Sequence, residues 1–216
     1  ALGSIYALIA LGYSLVYGIL LMINFAHGEV FMVGAFASYF VARSLDSAGL
    51  LDSNPILSIL ILLVAATLAS MAVAVLLERV AYRPLRNAPR LVPLITAIGA
   101  SLFLQYTAAS LFGPNSKGYP DIAALQGTWT ILGIPIAKTL AITIVTAALM
   151  LVGLTQFISR TTTGRAMRAV AEDKEIASLM GINVNRVIVT TFAVGGILAG
   201  VAGVMFALVF GLVQYN

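Results

Sequence analysis

The sequence predicts an all-α protein: a polytopic bundle of transmembrane helices with one extra amphipathic helix on the cytoplasmic side. Three observations carry this. First, 61% of the 216 residues are hydrophobic and only 9% are charged, against about 25% in an average soluble domain. Twelve Lys and Arg with eight Asp and Glu cannot cover a globular surface, so the apolar excess must face lipid. Second, the apolar residues fall in runs of membrane-crossing length. Third, most of the cations are collected in two of the connections.

Taken in order, the runs are residues 1–22, 25–42, 56–77, 91–112, 139–158 and 187–213. Crossing about 30 Å of hydrocarbon at 1.5 Å per residue takes about 20 mostly apolar residues. Five runs meet that length plainly, while 25–42 is shorter and carries His27 and Glu29 near its start. The connection 78–90 holds Arg79, Arg83, Arg86 and Arg90, and 159–186 holds Arg160, Arg165, Arg168, Lys174 and Arg186. Both are therefore expected in the cytoplasm. Connections 43–55 and 113–138 contain only Arg43, Lys117 and Lys138 and are placed outside. In the second of these, 128–131 and 134–136 flank Gly133 and read as a short interfacial hairpin with Trp129 as anchor, or as an irregular loop.

Composition also excludes function classes. The net charge of +4 is confined to short loops, so nucleic acid is not a partner. Without cysteine, and with His27 as the single histidine, the chain has no disulfide framework, thiolate catalysis or metal-ligand cluster. It carries no phosphate-binding loop and no Ser/His/Asp set, so it does not hydrolyse ATP itself. The clear spans also lack the buried acids of a proton relay. The chain begins at Ala1 and stops at Asn216 directly after an apolar run, and is expected to be cut at both ends.

Three features could carry function. No Asp, Glu, Lys, Arg or His precedes His27, and His27 and Glu29 each cost a few kcal/mol in hydrocarbon. The string Asn24, Phe25, Ala26, His27, Gly28, Glu29 is read either as a helix break lining a polar substrate path or gate, or as a wet cytoplasmic turn. Small residues recur at Ala10, Ser14 and Gly18, and again at Gly196 and Gly200, a spacing that lets another helix approach closely. Finally, residues 165–180 read as one helix with Thr163 as N-cap and Gly181 as left-handed terminator, and Asn183 caps the following span. Arg165, Arg168, Glu172 and Glu175 share its charged face, with Asp173 beside them, and Ile176, Leu179 and Met180 make an apolar patch. With three acids facing an anionic leaflet, protein is a better partner for this surface than membrane lipid.

These residues carry a resemblance. Gly3 to Leu8, Gly12-Tyr13, Val16-Tyr17-Gly18, the Asn24 to Glu29 string, Glu78 to Arg86, Ala97-Ile98-Gly99 and Arg165 to Asp173 with Ala177 and Gly181 resemble the LivH-type permease subunits of branched-chain amino acid ABC transporters. The match covers essentially the whole chain. It implies pairing with a second, LivM-like permease subunit, two cytoplasmic ATPase subunits that bind ATP and magnesium, and a periplasmic substrate-binding protein, all at the bacterial inner membrane. The cytoplasmic helix would then be a coupling helix, with Glu175, Ala177 and Gly181 matching part of the coupling-loop pattern of ABC importers. The Ile-x-Leu-Pro that often ends that loop is absent. Related permeases for urea and short amides carry close variants of the Asn24 to Glu29 string, and a passive channel for a small polar solute is the alternative from another class.

Overall fold

The computed structural model of the protein describes residues 2–86, 88–89, 91–131 and 134–215. Ala1, Arg90, Gly133 and Asn216, named above, lie outside the described residues. The helices are α1 (Leu2–Leu20), α2 (His27–Ser47), α3 (Leu50–Ser53), α4 (Pro55–Leu77), α5 (Leu91–Phe112), α6 (Lys138–Arg160), α7 (Thr162–Glu172), α8 (Lys174–Leu179) and α9 (Val184–Phe210). Four short strands form two antiparallel pairs. β1 (Lys117–Gly118) lies beside β4 (Leu212–Val213), and β2 (Thr128–Ile131) beside β3 (Ile134–Ala137) with Trp129 opposite Ile136. β2 and β3 thus pair as the expected hairpin strands do.

Among the described residues, five helices, α1, α4, α5, α6 and α9, are long and apolar enough to cross a membrane. α2 is less apolar, yet its 21 residues give about 31 Å of helix, and it lies packed against α4 and α9 at the centre. His27 and Ser38 on α2 are tolerated because other helices, not lipid, cover them, and the exposed Arg43, Ser44, Asp46 and Ser47 lie at the helix's far end.

The centre is built on missing side chains. A Cβ on Gly34 would lie 2.8 Å from the Cα of Gly200, one on Gly196 2.8 Å from the Cα of Met71, and one on Gly203 2.7 Å from the amide nitrogen of Ala35. These glycines let α2, α4 and α9 approach backbone to backbone, where dispersion and not the hydrophobic effect holds helices together in lipid. The Gly196–Gly200 pair does pack, against α4. The stripe Ala10, Ser14 and Gly18 does not: all three are exposed, and a Cβ on Gly18 would meet nothing within 4 Å. The face of α1 that the core covers is the one bearing Ile5, Leu8, Leu15 and Ile19.

The two ends differ in chemistry as the charge pattern requires. At one end Lys174 Nζ donates to the Leu20 carbonyl at 3.1 Å, and Arg86 bridges Glu78 and Asn185. The end of α1, the end of α4, the start of α9 and both cation-rich connections therefore meet. The other end gathers β1, β4 and Tyr119, whose amide donates to the Gly211 carbonyl.

Several boundaries depart from those read in the sequence. α1 stops at Leu20 because Leu21 adopts φ 57°, a left-handed residue with a side chain, which costs roughly 1 kcal/mol or more. α2 continues to Ser47, and α9 spans Val184–Phe210, closed by left-handed Gly211. The single helix expected over 165–180 is two helices. Asp173 at φ −152° leaves the helix, and its carboxylate accepts from the amides of Glu175 and Ile176 at 2.8 and 2.9 Å. A short acidic side chain that satisfies the next helix's free amides competes with continuation of the first. The cap of α7 is Thr161, accepting from Gly164, not Thr163, while Asn183 caps α9 as expected. Gly181 is left-handed at φ 81°.

Candidate functional site

The break between α1 and α2 lies inside the bundle. His27 abuts Gly12 and Gly195. Gly12 is eight residues before the end of α1 and Gly195 eleven after the start of α9, which places His27 about 12–16 Å in from those helix ends. The chain runs down α1 to Leu20 and then climbs back through residues 21–26 before α2 begins. Three interactions hold the climb. Lys174 takes the free Leu20 carbonyl, the Tyr82 hydroxyl donates to Asn24 Oδ1 at 2.6 Å, and the His27 amide donates to the Asn24 carbonyl at 3.2 Å. Tyr82 is positioned by a wide π-turn, Glu78–Tyr82, that follows α4, a geometry that recurs at functional positions.

The residues of the string part company from there. Asn24 and His27 are buried and turn into the protein, Asn24 to Tyr82 and His27 edge-on to the Tyr13 ring with centroids 5.9 Å apart. Phe25 is exposed on the outside of the turn. Gly28 and Glu29 line a cavity of about 250 Å³ between the start of α2, α5 and the segment after α9. Glu29 Oε1 accepts from Ser101 Oγ on α5 at 2.9 Å. Ser101 is ten residues into α5, so Glu29 also sits about 15 Å from that helix end. Gln105, one turn beyond Ser101, and Gln214 and Tyr215 supply the other polar walls. Ser101 and Gln105 were legible as polar positions four apart in an apolar span. Gln214 and Tyr215 gave no signal, because only the reversal at Gly211 and β4 brings them back.

At the charged end, α7 and α8 expose Arg165, Glu172, Asp173 and Glu175, while Arg168 Nη1 reaches the Ile158 carbonyl. Ile176, Leu179 and Met180 are 60%, 86% and 77% exposed, an uncovered apolar cluster on a helix of six residues. Ala177, grouped with these residues in the sequence, is 3% exposed and anchors α8 to the bundle instead. Burial, and to a smaller extent the Arg86 guanidinium, lowers the Lys174 ammonium from the usual lysine range.

The fold and this site define a multi-pass membrane permease component. The whole chain, residues 1–216, matches the family described as branched-chain amino acid transport system / permease component, and the protein belongs to that family. It is 42% identical to the high-affinity branched-chain amino acid transport system permease protein BraD of Pseudomonas aeruginosa, over 98% of this chain and 69% of that protein. It is likewise 42% identical to the permease proteins LivH of Salmonella typhimurium and Escherichia coli, over 99% of this chain and 70% of each. No solved structure gives a significant match.

Proposed function

We propose that this chain is the membrane-spanning permease subunit of an ATP-driven importer of branched-chain amino acids at the bacterial inner membrane. It is not an enzyme; ATP and magnesium belong to two cytoplasmic ATPase subunits, and a periplasmic binding protein delivers substrate. The observation that carries the reading is the exposed Ile176, Leu179 and Met180 cluster ringed by Glu172, Asp173 and Glu175. An apolar patch with a charged rim, outside the lipid, suits a protein partner.

Movement of that partner has a short route inward. α8 begins at Lys174, which holds the end of α1, and seven residues beyond that end α2 begins beside the cavity. Closure of an ATPase dimer under α8 would pull on the α1–α2 break and exchange two arrangements of the bundle, the requirement of alternating access. Arg165 and Arg168 are assigned to the same docking region. Ala10 and Ser14 line an open groove beside α6 with Ala147 and Ala148, and Gly18 lines a neighbouring one with Leu154 and Ile158; the stripe is assigned to contact with the second permease subunit.

The test is a pull-down of the tagged subunit from native membranes in mild detergent, with and without Leu179→Asp. ATPase subunits and a second permease are expected with the parent, and loss of the ATPase alone with the variant. A parent that elutes as a lone homo-oligomer would overturn the proposal in favour of a passive channel.

A further inference from the structure

We infer that the cavity beside Glu29 is a binding site for a small zwitterion with an aliphatic side chain, the ammonium on Glu29 and the carboxylate on the donors of Gln105, Gln214 and Tyr215. The substrate class rests on the importer reading; the polarity of the site rests on the cavity itself.

Glu29 is half-buried about midway along the bundle and lines the cavity, and among the described residues its one hydrogen bond, from Ser101, engages only one of its two carboxylate oxygens. Among the described residues no Lys or Arg forms an ion pair with it. A carboxylate at membrane depth without a counter-charge is costly, and such residues mark ion or substrate positions. A ligand ammonium would supply the missing cation. The same cavity is lined by Gln105, Gln214 and Tyr215, whose amide and hydroxyl donors suit a carboxylate. Phe31, Met32 and Phe206 give the lining an apolar part, with the first and last rings 5.5 Å apart and edge-on. A volume of about 250 Å³ lies below the range of drug-sized ligand pockets and fits a molecule of amino-acid size. The lining thus carries a group for a cation, donors for an anion and a surface for hydrocarbon.

The chain has no cysteine, so Gly28→Cys places a single thiol of this subunit at the cavity mouth, where a Cβ meets no atom within 4 Å. The complete transporter carrying this variant is treated with a cationic reagent, trimethylammonium-ethyl methanethiosulfonate, or an anionic one, sulfonatoethyl methanethiosulfonate, and labelling is read by mass spectrometry. The cationic reagent is expected to react about tenfold faster, and Glu29→Gln should remove the preference. Leucine and leucine methyl ester should slow labelling, and 4-methylpentanoate, which lacks the ammonium, should not. Gln105→Cys reports the same site from α5 should the first variant assemble poorly.

Equal rates for the two reagents, or protection by 4-methylpentanoate or urea as strong as by leucine, would overturn the assignment. The two proposals fail separately. ATP-driven leucine uptake without charge-selective labelling keeps the importer and removes this site. Charge-selective labelling and leucine protection without ATPase partners keeps the site and removes the importer.

Discussion

Replacing Gly200 by alanine tests whether the central helices are held by backbone contact. The added methyl would lie 2.8 Å from both the Ala66 carbonyl oxygen and the Thr67 Cα, where ordinary contact begins at 3.4 Å. Both obstructing atoms are backbone, so no rotamer change relieves them and α4 must part from α9 by about half an ångström. Overpacking of this kind costs about 1–3 kcal/mol, and a backbone obstruction belongs at the upper end. Alanine's better helix propensity returns up to about 1 kcal/mol. The net expectation is a loss of about 2 kcal/mol, a factor of about 30 in the folded-to-unfolded ratio. The control is Gly18→Ala, where no atom lies within 4 Å; it should be neutral or stabilising by up to about 1 kcal/mol. The assay is reversible unfolding by sodium dodecyl sulfate in mixed micelles, followed by circular dichroism. A Gly200→Ala protein as stable as Gly18→Ala would refute the reasoning.

Two further outcomes concern the ends of the bundle. Glu78 is fully buried and paired with Arg86, so Arg86→Met strands a buried carboxylate and should destabilise by about 3–5 kcal/mol; Arg86→Met with Glu78→Gln should recover most of that loss in the same assay, and an Arg86→Met protein equal to the parent would contradict the pairing. Burial pushes the Tyr119 hydroxyl up to about 12, against a lowering from the neighbouring Ser38 side chain. Because the folded value lies above the unfolded value of about 10, the stability it contributes is complete below pH 10 and is lost as pH rises toward 12. Tyr119→Phe should move the alkaline unfolding midpoint upward, and an unmoved midpoint would show that this phenol does not control the alkaline limb.

The sequence is enough to place the class of protein, the long apolar helices, the shared end of the two cation-rich connections, and the caps at Gly181 and Asn183. Each follows from a local rule: hydropathy over the thickness of a bilayer, cation placement, or the conformational needs of one residue. It also marked residues 24–29 as costly in hydrocarbon, but a one-dimensional reading could not give their depth. That depends on which residues of α1, α5 and α9 lie alongside.

Spacing also treats Ala10, Ser14 and Gly18 like Gly196 and Gly200, since both are small residues four apart. Only the tertiary structure separates them: α4 lies against the second set at backbone distance, and nothing described covers the first. The same is true of His27 and Glu29. Their cost to the membrane is similar, yet a helical step of two residues turns one into the Gly12 and Gly195 contact and the other toward Ser101 and the cavity. Small size and charge are properties of residues, while what a residue touches is a property of the packed helices, and function at this site is decided by the second.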